Sequence, residues 1–439
     1  MNKTVALVLS FLIPYSFRLA LELYSFPFTI GFDTMAYYLP FLTGYTKWSP
    51  LQLYATPPLY YMIIYSLNSI IVNPIMTLKI VAIVLQGFLG LSLYLWATTF
   101  FKDGIESLLF SITASFYFTV LRISWDLHRN VLGLGLMMIT LWLVNKSGKY
   151  ATLSSSFTAF LTALSHQIEP VILGVILLYK YFRGLKMAVI PALATLVTWM
   201  SIIHVSSVLK NVSIPEYLVM TITQSGEQVP PFPQGLEMLG FIVYIFLPLL
   251  PFTIIGMLHN WRLNPDLNIW IILCFTLSFI ARFGFRFALL LSIPLMIYAS
   301  MNVKKLQIVL LIITIVFSTG YTIMHPENPF PYFSSPLISS NGFLYTMPTS
   351  MLQNTIPLDW SYDALNVSRH FLKCSCNNAS IIVTSRVFLG YLLLAGVPND
   401  KIVVYGEAFG DPCPIIDKLA RQGYEVYLID FTPNSTWYN

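Results

Sequence analysis

Four short stretches hold side chains whose types and spacing suit acid–base or anion chemistry. GFDTMAYYLP sets Asp33 shortly after an apolar run that begins at Val5, with Tyr37 four residues on. WDLHRN brings Asp126, His128 and Arg129 together, SHQIEP holds His166 and Glu169, and RFGFR puts Arg282 and Arg286 four apart, on one face of a helix. A carboxylate beside an apolar wall is a candidate general base, because partial burial raises its affinity for a proton. Two guanidiniums on one face of an apolar helix are costly without an anion, which suits them to a phosphate. Plainer roles exist for each. Asp33 is also a favoured cap for the helix starting TMAYYLPF, arginines near helix ends reach for lipid headgroups, and a lone histidine such as His166 is usually a hydrogen-bonded structural residue.

The elements that must position these groups are apolar. Of 439 residues 56% are hydrophobic and 10% charged, with mean hydropathy +0.71, against about 25% charged in a soluble domain. Apolar stretches near the ~20 residues needed to cross a bilayer recur from Val5 to about Ile323 and then stop. This is the composition of an integral membrane protein. Up to Met324 there are 18 Lys+Arg against 10 Asp+Glu, and the remainder holds 6 against 9. The net +5 is therefore a basic membrane part with a mildly acidic tail, and it does not point to nucleic acid. MNK followed by VALVLSFLI resembles a signal peptide, but no small-residue cleavage site follows before Arg18 and Glu22. It reads as a retained first helix, with Arg18 and Glu22 as an i,i+4 charge pair.

Lys- and Arg-rich short loops stay cytoplasmic and so fix an orientation. The clusters are Lys3, Lys102, Lys146 with Lys149, Lys180–Arg183–Lys186, Arg262, and Lys304 with Lys305. Crossing out and back between them requires spans at 107–124 and 131–145, a run 151–178 split at SHQIEP, then 187–206, 238–258, 267–280, 287–301 and 306–323. A span over 56–72 would put Lys102 and all later clusters outside, so PPLYYMIIYSLNSI is expected as a juxtamembrane helix and 75–100 as the second span. The expectation is about eleven transmembrane helices in residues 1–323, with a first external loop over 24–74 and another over 207–237. Asp33, Asp126, His166, Glu169, Arg282 and Arg286 then share the external face.

Residues 324–439 are expected to form an extracytoplasmic α/β domain. From Asp359 the pattern alternates helix DALNVSRHFLK, strand SIIVTS, helix VFLGYLLLAG, strand KIVVYG, helix CPIIDKLARQG and strand EVYLIDF, which indicates a mostly parallel sheet. No glycine-rich phosphate loop precedes a helix there. An external compartment permits disulfides, and Cys413 paired with Cys374 or Cys376 would tie this domain together.

The ordered set FDTMAYY, TPPLYY, WDLHRN, LTALSHQ and RFGFR resembles the GT-C superfamily of membrane glycosyltransferases, which includes protein O-mannosyltransferases, aminoarabinose transferases and oligosaccharyltransferase catalytic subunits. The resemblance covers residues 1 to about 323. It implies an inverting transfer of a sugar from a polyprenyl phosphate or diphosphate, such as a dolichol-linked donor, to a protein, lipid or glycan acceptor. It also implies Asp33 as the base and Tyr37 as the family's tyrosine, and it places Asp126, His128, Arg129, His166, Glu169, Arg282 and Arg286 around the donor. No cofactor is required on this reading. A divalent Mg or Mn would need hard oxygen ligands, for which WDLHRN offers Asp126 and no second acid. The alternative from another class is a transporter or lipid flippase, whose charges would line a path at the bilayer midplane.

Overall fold

The computed structural model describes residues 2–146, 148–223, 236–281, 284–301, 304–323, 358–374, 380–406 and 411–429. Three of its helices are long and apolar enough to cross a bilayer: Lys3–Tyr24, Pro74–Ala97 and Lys186–Leu209. The bent pair Gly104–Phe116 and Phe118–Trp125 qualifies as a fourth if taken together. Shorter apolar helices, among them Leu59–Ile71, His128–Val144 and Pro265–Ile280, surround them. The outer helices turn apolar side chains outward at helical spacing: Val5, Val8 and Leu12 on the first, Ile190, Leu193, Val197 and Met200 on 186–209. Such stripes fit lipid contact, and the chain is consistent with a helical membrane protein.

The 74–97 helix is central, with 72% of its apolar window buried. Gly90 lets the first helix approach it closely, because a Cβ there would overlap the Ser10 carbonyl and the Pro14 ring. Leu59–Ile71 is a separate helix that ends at Val72 in the left-handed conformation, so PPLYYMIIYSLNSI does not run on into the next helix. SHQIEP separates Lys149–Ser165 from Glu169–Phe182, as the length of that run requires.

Two expected spans are interrupted instead of continuous. The 107–124 span breaks at Tyr117, with a 61° bend. No proline or glycine causes this break; hydrogen bonds to other helices stabilise it. Gln86 Nε2 donates to Ser115 O at 3.2 Å, Ser318 Oγ donates to Phe116 O, and Tyr117 OH donates to Ile245 O. The 238–258 span divides into Leu236–Phe246 and Leu250–Asn260 because FLPLLPF puts Pro248 and Pro251 where backbone donors would be needed. The 287–301 span, by contrast, runs on through Leu291 in helical conformation as Gly284–Ser300.

The C-terminal segments form a three-stranded parallel sheet of β1 (Ser380–Ser385), β2 (Ile402–Gly406) and β3 (Glu425–Ile429) in the order β2-β1-β3. Arg386–Ala395 follows β1, Cys413–Arg421 precedes β3, and Leu358–Cys374 packs beside them. This unit rests on the residues that follow the first helix. Phe28 meets Tyr362 edge-on at 5.0 Å, Tyr45 OH donates to Ile402 O at 3.4 Å, and Asn399 Nδ2 donates to Thr43 O at 3.2 Å. Gly390 makes the closest approach, since a Cβ there would meet Met35 O at 2.5 Å.

Candidate functional site

A buried ionic network sets the frame. Arg18 pairs with Glu22 at 2.7 Å, and Lys79, absent from the sequence reading, reaches the other carboxylate oxygen at 2.9 Å. Two cations on one buried carboxylate leave an excess positive charge that needs acceptors. Arg18 donates to Ser124 O at 3.0 Å and Trp125 O at 3.4 Å, and Lys79 donates to Glu22 O at 2.6 Å. The first pair of bonds ties down the end of Phe118–Asp126 and so fixes where WDLHRN turns. His128 begins the next helix almost wholly buried, its Nδ1 2.9 Å from Tyr60 OH and its ring stacked on Tyr38. The structure thus places His128 in an aromatic cluster.

Arg129 and Asn130 point elsewhere. Asn130 Nδ2 donates to Glu169 Oε1 at 3.0 Å, and the other carboxylate oxygen lies 2.9 Å from His166 Nδ1. The same Nδ1 accepts from Ile168 N at 3.3 Å and lies 3.0 Å from Asn130 Nδ2, so the imidazole is gripped on this one nitrogen by Glu169, Asn130 and the backbone. Burial lowers the His166 pKa; Glu169 opposes this, while Arg129 and Arg286 reinforce it. The ring is held neutral. Glu169 is fully buried behind it.

His166, Arg129 and Arg286 line a cavity of about 430 Å³ together with Gln167, Lys210, Tyr217, Trp48 and Gln52. The helix Pro50–Ala55 forms one wall, fastened to the 189–209 helix by Tyr54 OH with Ser201 Oγ at 2.6 Å and by Ser206 Oγ donating to Ala55 O at 3.1 Å. Arg129 lies over the Tyr61 ring at 5.5 Å, and its buried Nε has no hydrogen-bond partner. No carboxylate is among the described lining residues. Three permanent cations and a neutral imidazole around a space of this size suit a phosphate-bearing ligand.

Asp33 and Tyr37 are not among the residues that line this cavity. Residues Thr34–Tyr38 wind as a π-helix, and Asp33 precedes it without a side-chain capping bond. Helix capping therefore does not account for Asp33. The buried Tyr38 phenol is held well above its ordinary pKa by burial and then by the charge of Asp33; the Tyr61 phenol is raised by burial against the opposing charge of Arg129, with Asp33 again adding to the rise. Asp33 and Arg129 thus act on one phenol. Tyr37 receives a group missed in the sequence: Arg386, first residue of the helix after β1, sets its guanidinium carbon 5.0 Å from the Tyr37 ring. An arginine at the carboxyl end of the central parallel strand is the signal that marks it, since ligands gather at such ends.

Arg282 and the side chain of Asp126 lie outside the described residues. Among the described residues no three His, Cys, Asp or Glu side chains gather to hold a metal, and Glu169 is committed to His166 and Asn130. Asp126, the acid expected to meet such a cation, has its side chain outside the described residues, and no step is routed through a metal. Cys413 is a free, exposed thiol in this structure; the expected partners, Cys376 and the side chain of Cys374, lie outside the described residues. No family model matches the chain, and no curated protein matches it.

Proposed function

We propose that this chain is an inverting membrane glycosyltransferase that moves a sugar from a polyprenyl-phosphate-linked donor to an acceptor at the outer face of the membrane. The observation that carries the reading is the cavity with Arg129, Arg286 and Lys210 in its wall and no described carboxylate, linked to Asp33 through the Tyr61 phenol, on which Arg129 and Asp33 both act. The lipid phosphate lies among the cations. Asp33 takes the proton from the acceptor hydroxyl or amide as that atom attacks the anomeric carbon, and the bond from that carbon to the phosphate oxygen breaks on the opposite side. Charge developing on the departing phosphate falls to Arg129, Arg286 and Lys210. His166, neutral and braced by Glu169, hydrogen-bonds the sugar. In this reading the chain crosses the membrane about eleven times and the 324–439 part lies outside.

The break at Tyr117 is the feature that favours the alternative, a transporter or flippase, because broken helices mark many translocation paths. Its freed carbonyls accept from Gln86 and Ser318, whereas a translocation path would expose them to a cavity. That favours the enzyme.

The test is sugar transfer by purified protein in lipid with a polyprenyl-phosphate donor. Asp33→Asn should accumulate and bind donor normally while transfer drops by about 10² to 10⁴, the usual worth of a general base. Arg129→Ala should weaken donor binding by about ten- to a hundredfold, the loss expected for a charge-assisted hydrogen bond worth ~1.5–3 kcal/mol. Transfer undiminished in Asp33→Asn would sink the mechanism.

A further inference from the structure

A second cavity, of about 520 Å³, lies at the other end of the helices and plays no part in the proposed reaction. Its wall joins four chain segments: 98–100 after the central helix, Asn145 and Lys146, 179–185 at the end of Glu169–Phe182, and 263–266. Three cations converge there, Lys146, Lys180 and Arg183, against one carboxylate, Asp266. That carboxylate is already committed. Lys180 pairs with Asp266 and donates to Asn145 Oδ1 at 3.2 Å, so the pair holds the wall together and adds no net charge. Lys146 lies over the Trp142 ring at 5.1 Å, and among the described residues neither it nor Arg183 has a carboxylate partner.

The rim says which anions can reach the cavity. Leu263, in the lining, is 73% exposed, and at the same end Phe182 and Trp261 also show large apolar surface. Apolar and indole side chains beside a basic recess are what a membrane–water boundary presents, and basic recesses between helices on the Lys/Arg-rich side take lipid headgroups. The volume exceeds what one small inorganic ion needs and falls within the range of small-molecule sites.

We infer that the recess between Lys146 and Arg183 is a binding site for a phosphodiester, supplied by the headgroup of an anionic glycerophospholipid whose acyl chains run out past Leu263. The Lys180–Asp266 pair is its rigid floor. This site is independent of the transfer chemistry at the opposite end.

The experiment is native mass spectrometry of the full-length protein from neutral detergent, titrated with phosphatidylglycerol, with phosphatidylcholine, and with soluble glycerophosphoglycerol. The expected result is one phosphatidylglycerol retained about tenfold or more over phosphatidylcholine, whose quaternary ammonium offsets its phosphodiester charge and is repelled by Lys146 and Arg183, a difference on the scale of one charge-assisted contact. Lys146→Ala with Arg183→Ala should abolish that preference. Both side chains are exposed, so the variant should fold, and its thermal unfolding checks this. Lys149→Ala with Lys186→Ala removes two exposed cations outside the lining and should leave the preference intact. Equal retention of the two lipids would overturn the inference outright, and equal loss in both double variants would overturn it in favour of diffuse attraction. Glycerophosphoglycerol bound as tightly as the lipid would support the phosphodiester site and assign it a soluble occupant.

Discussion

Arg386 and Tyr37 are in cation–π register, 349 residues apart in sequence, with the guanidinium carbon 5.0 Å from the ring centroid. The contact couples the C-terminal sheet to the segment that starts at Asp33, and it brings a third arginine to that region besides Arg129 and Arg286. A contact of this kind is worth about 0.5–1 kcal/mol when exposed and ~2 when desolvated. The double-mutant cycle of Arg386→Ala and Tyr37→Ala, read by denaturant unfolding or by protease release of the C-terminal part, should give a coupling in that range. Strictly additive losses would mean that the two side chains do not interact in the folded protein.

The central ionic network predicts an asymmetry between its members. Glu22→Gln leaves Arg18 and Lys79 buried without their counter-ion, and breaking a buried pair in that way costs about 3–5 kcal/mol. Lys79→Met keeps the Arg18–Glu22 pair at one charge each and removes the surplus cation, so it should be far milder, within about 1–2 kcal/mol of the parent on the same principle. Thermal unfolding of the purified protein in lipid checks the order. If Lys79→Met is the worse of the two, then Lys79's bonds to Glu22 O and Ser25 Oγ outweigh the charge balance.

Much of this arrangement can be read from local sequence, and the parts that cannot share a physical cause. The separation at SHQIEP, and a helix over 59–71 distinct from the one after it, are legible in the sequence. The strands SIIVTS, IVVYG and EVYLI follow from short β-branched runs between turn residues. The break at Tyr117 has no local signal, because Gln86, Ser318 and the Ile245 carbonyl hold it from other helices. Lys79 joins Glu22 from 57 residues away, and a lone lysine in an apolar run reads as a liability until its partner is known. Asp33 shows the opposite limit. Its residue type allows a cap, and only the absence of a side-chain capping bond removes that explanation. Prolines 248 and 251 were a legible signal, and they divide the helix that hydropathy alone had treated as continuous.

Cys413 gives a test of orientation that needs no engineered residue. Its thiol is exposed and free, and its pKa is raised because the Asp411 carboxylate holds the thiol proton and repels the thiolate. The thiolate is the species that reacts, so a raised pKa means less of it at a given pH below the titration. Alkylation of Cys413 should therefore lag behind that of an ordinary exposed cysteine at neutral pH, and it should catch up as the pH rises through the raised value. Asp411→Asn removes the charge and should speed labelling at neutral pH while changing it little in alkali. With the C-terminal part outside the membrane, an impermeant maleimide should reach Cys413 in intact cells, and Cys413→Ser should remove that share of the label. Labelling of Cys413 only after permeabilisation would place the C-terminal sheet, and with it Arg386 and the Asp33 segment it touches, on the inner side, and the proposed outward-facing transfer would fall with it.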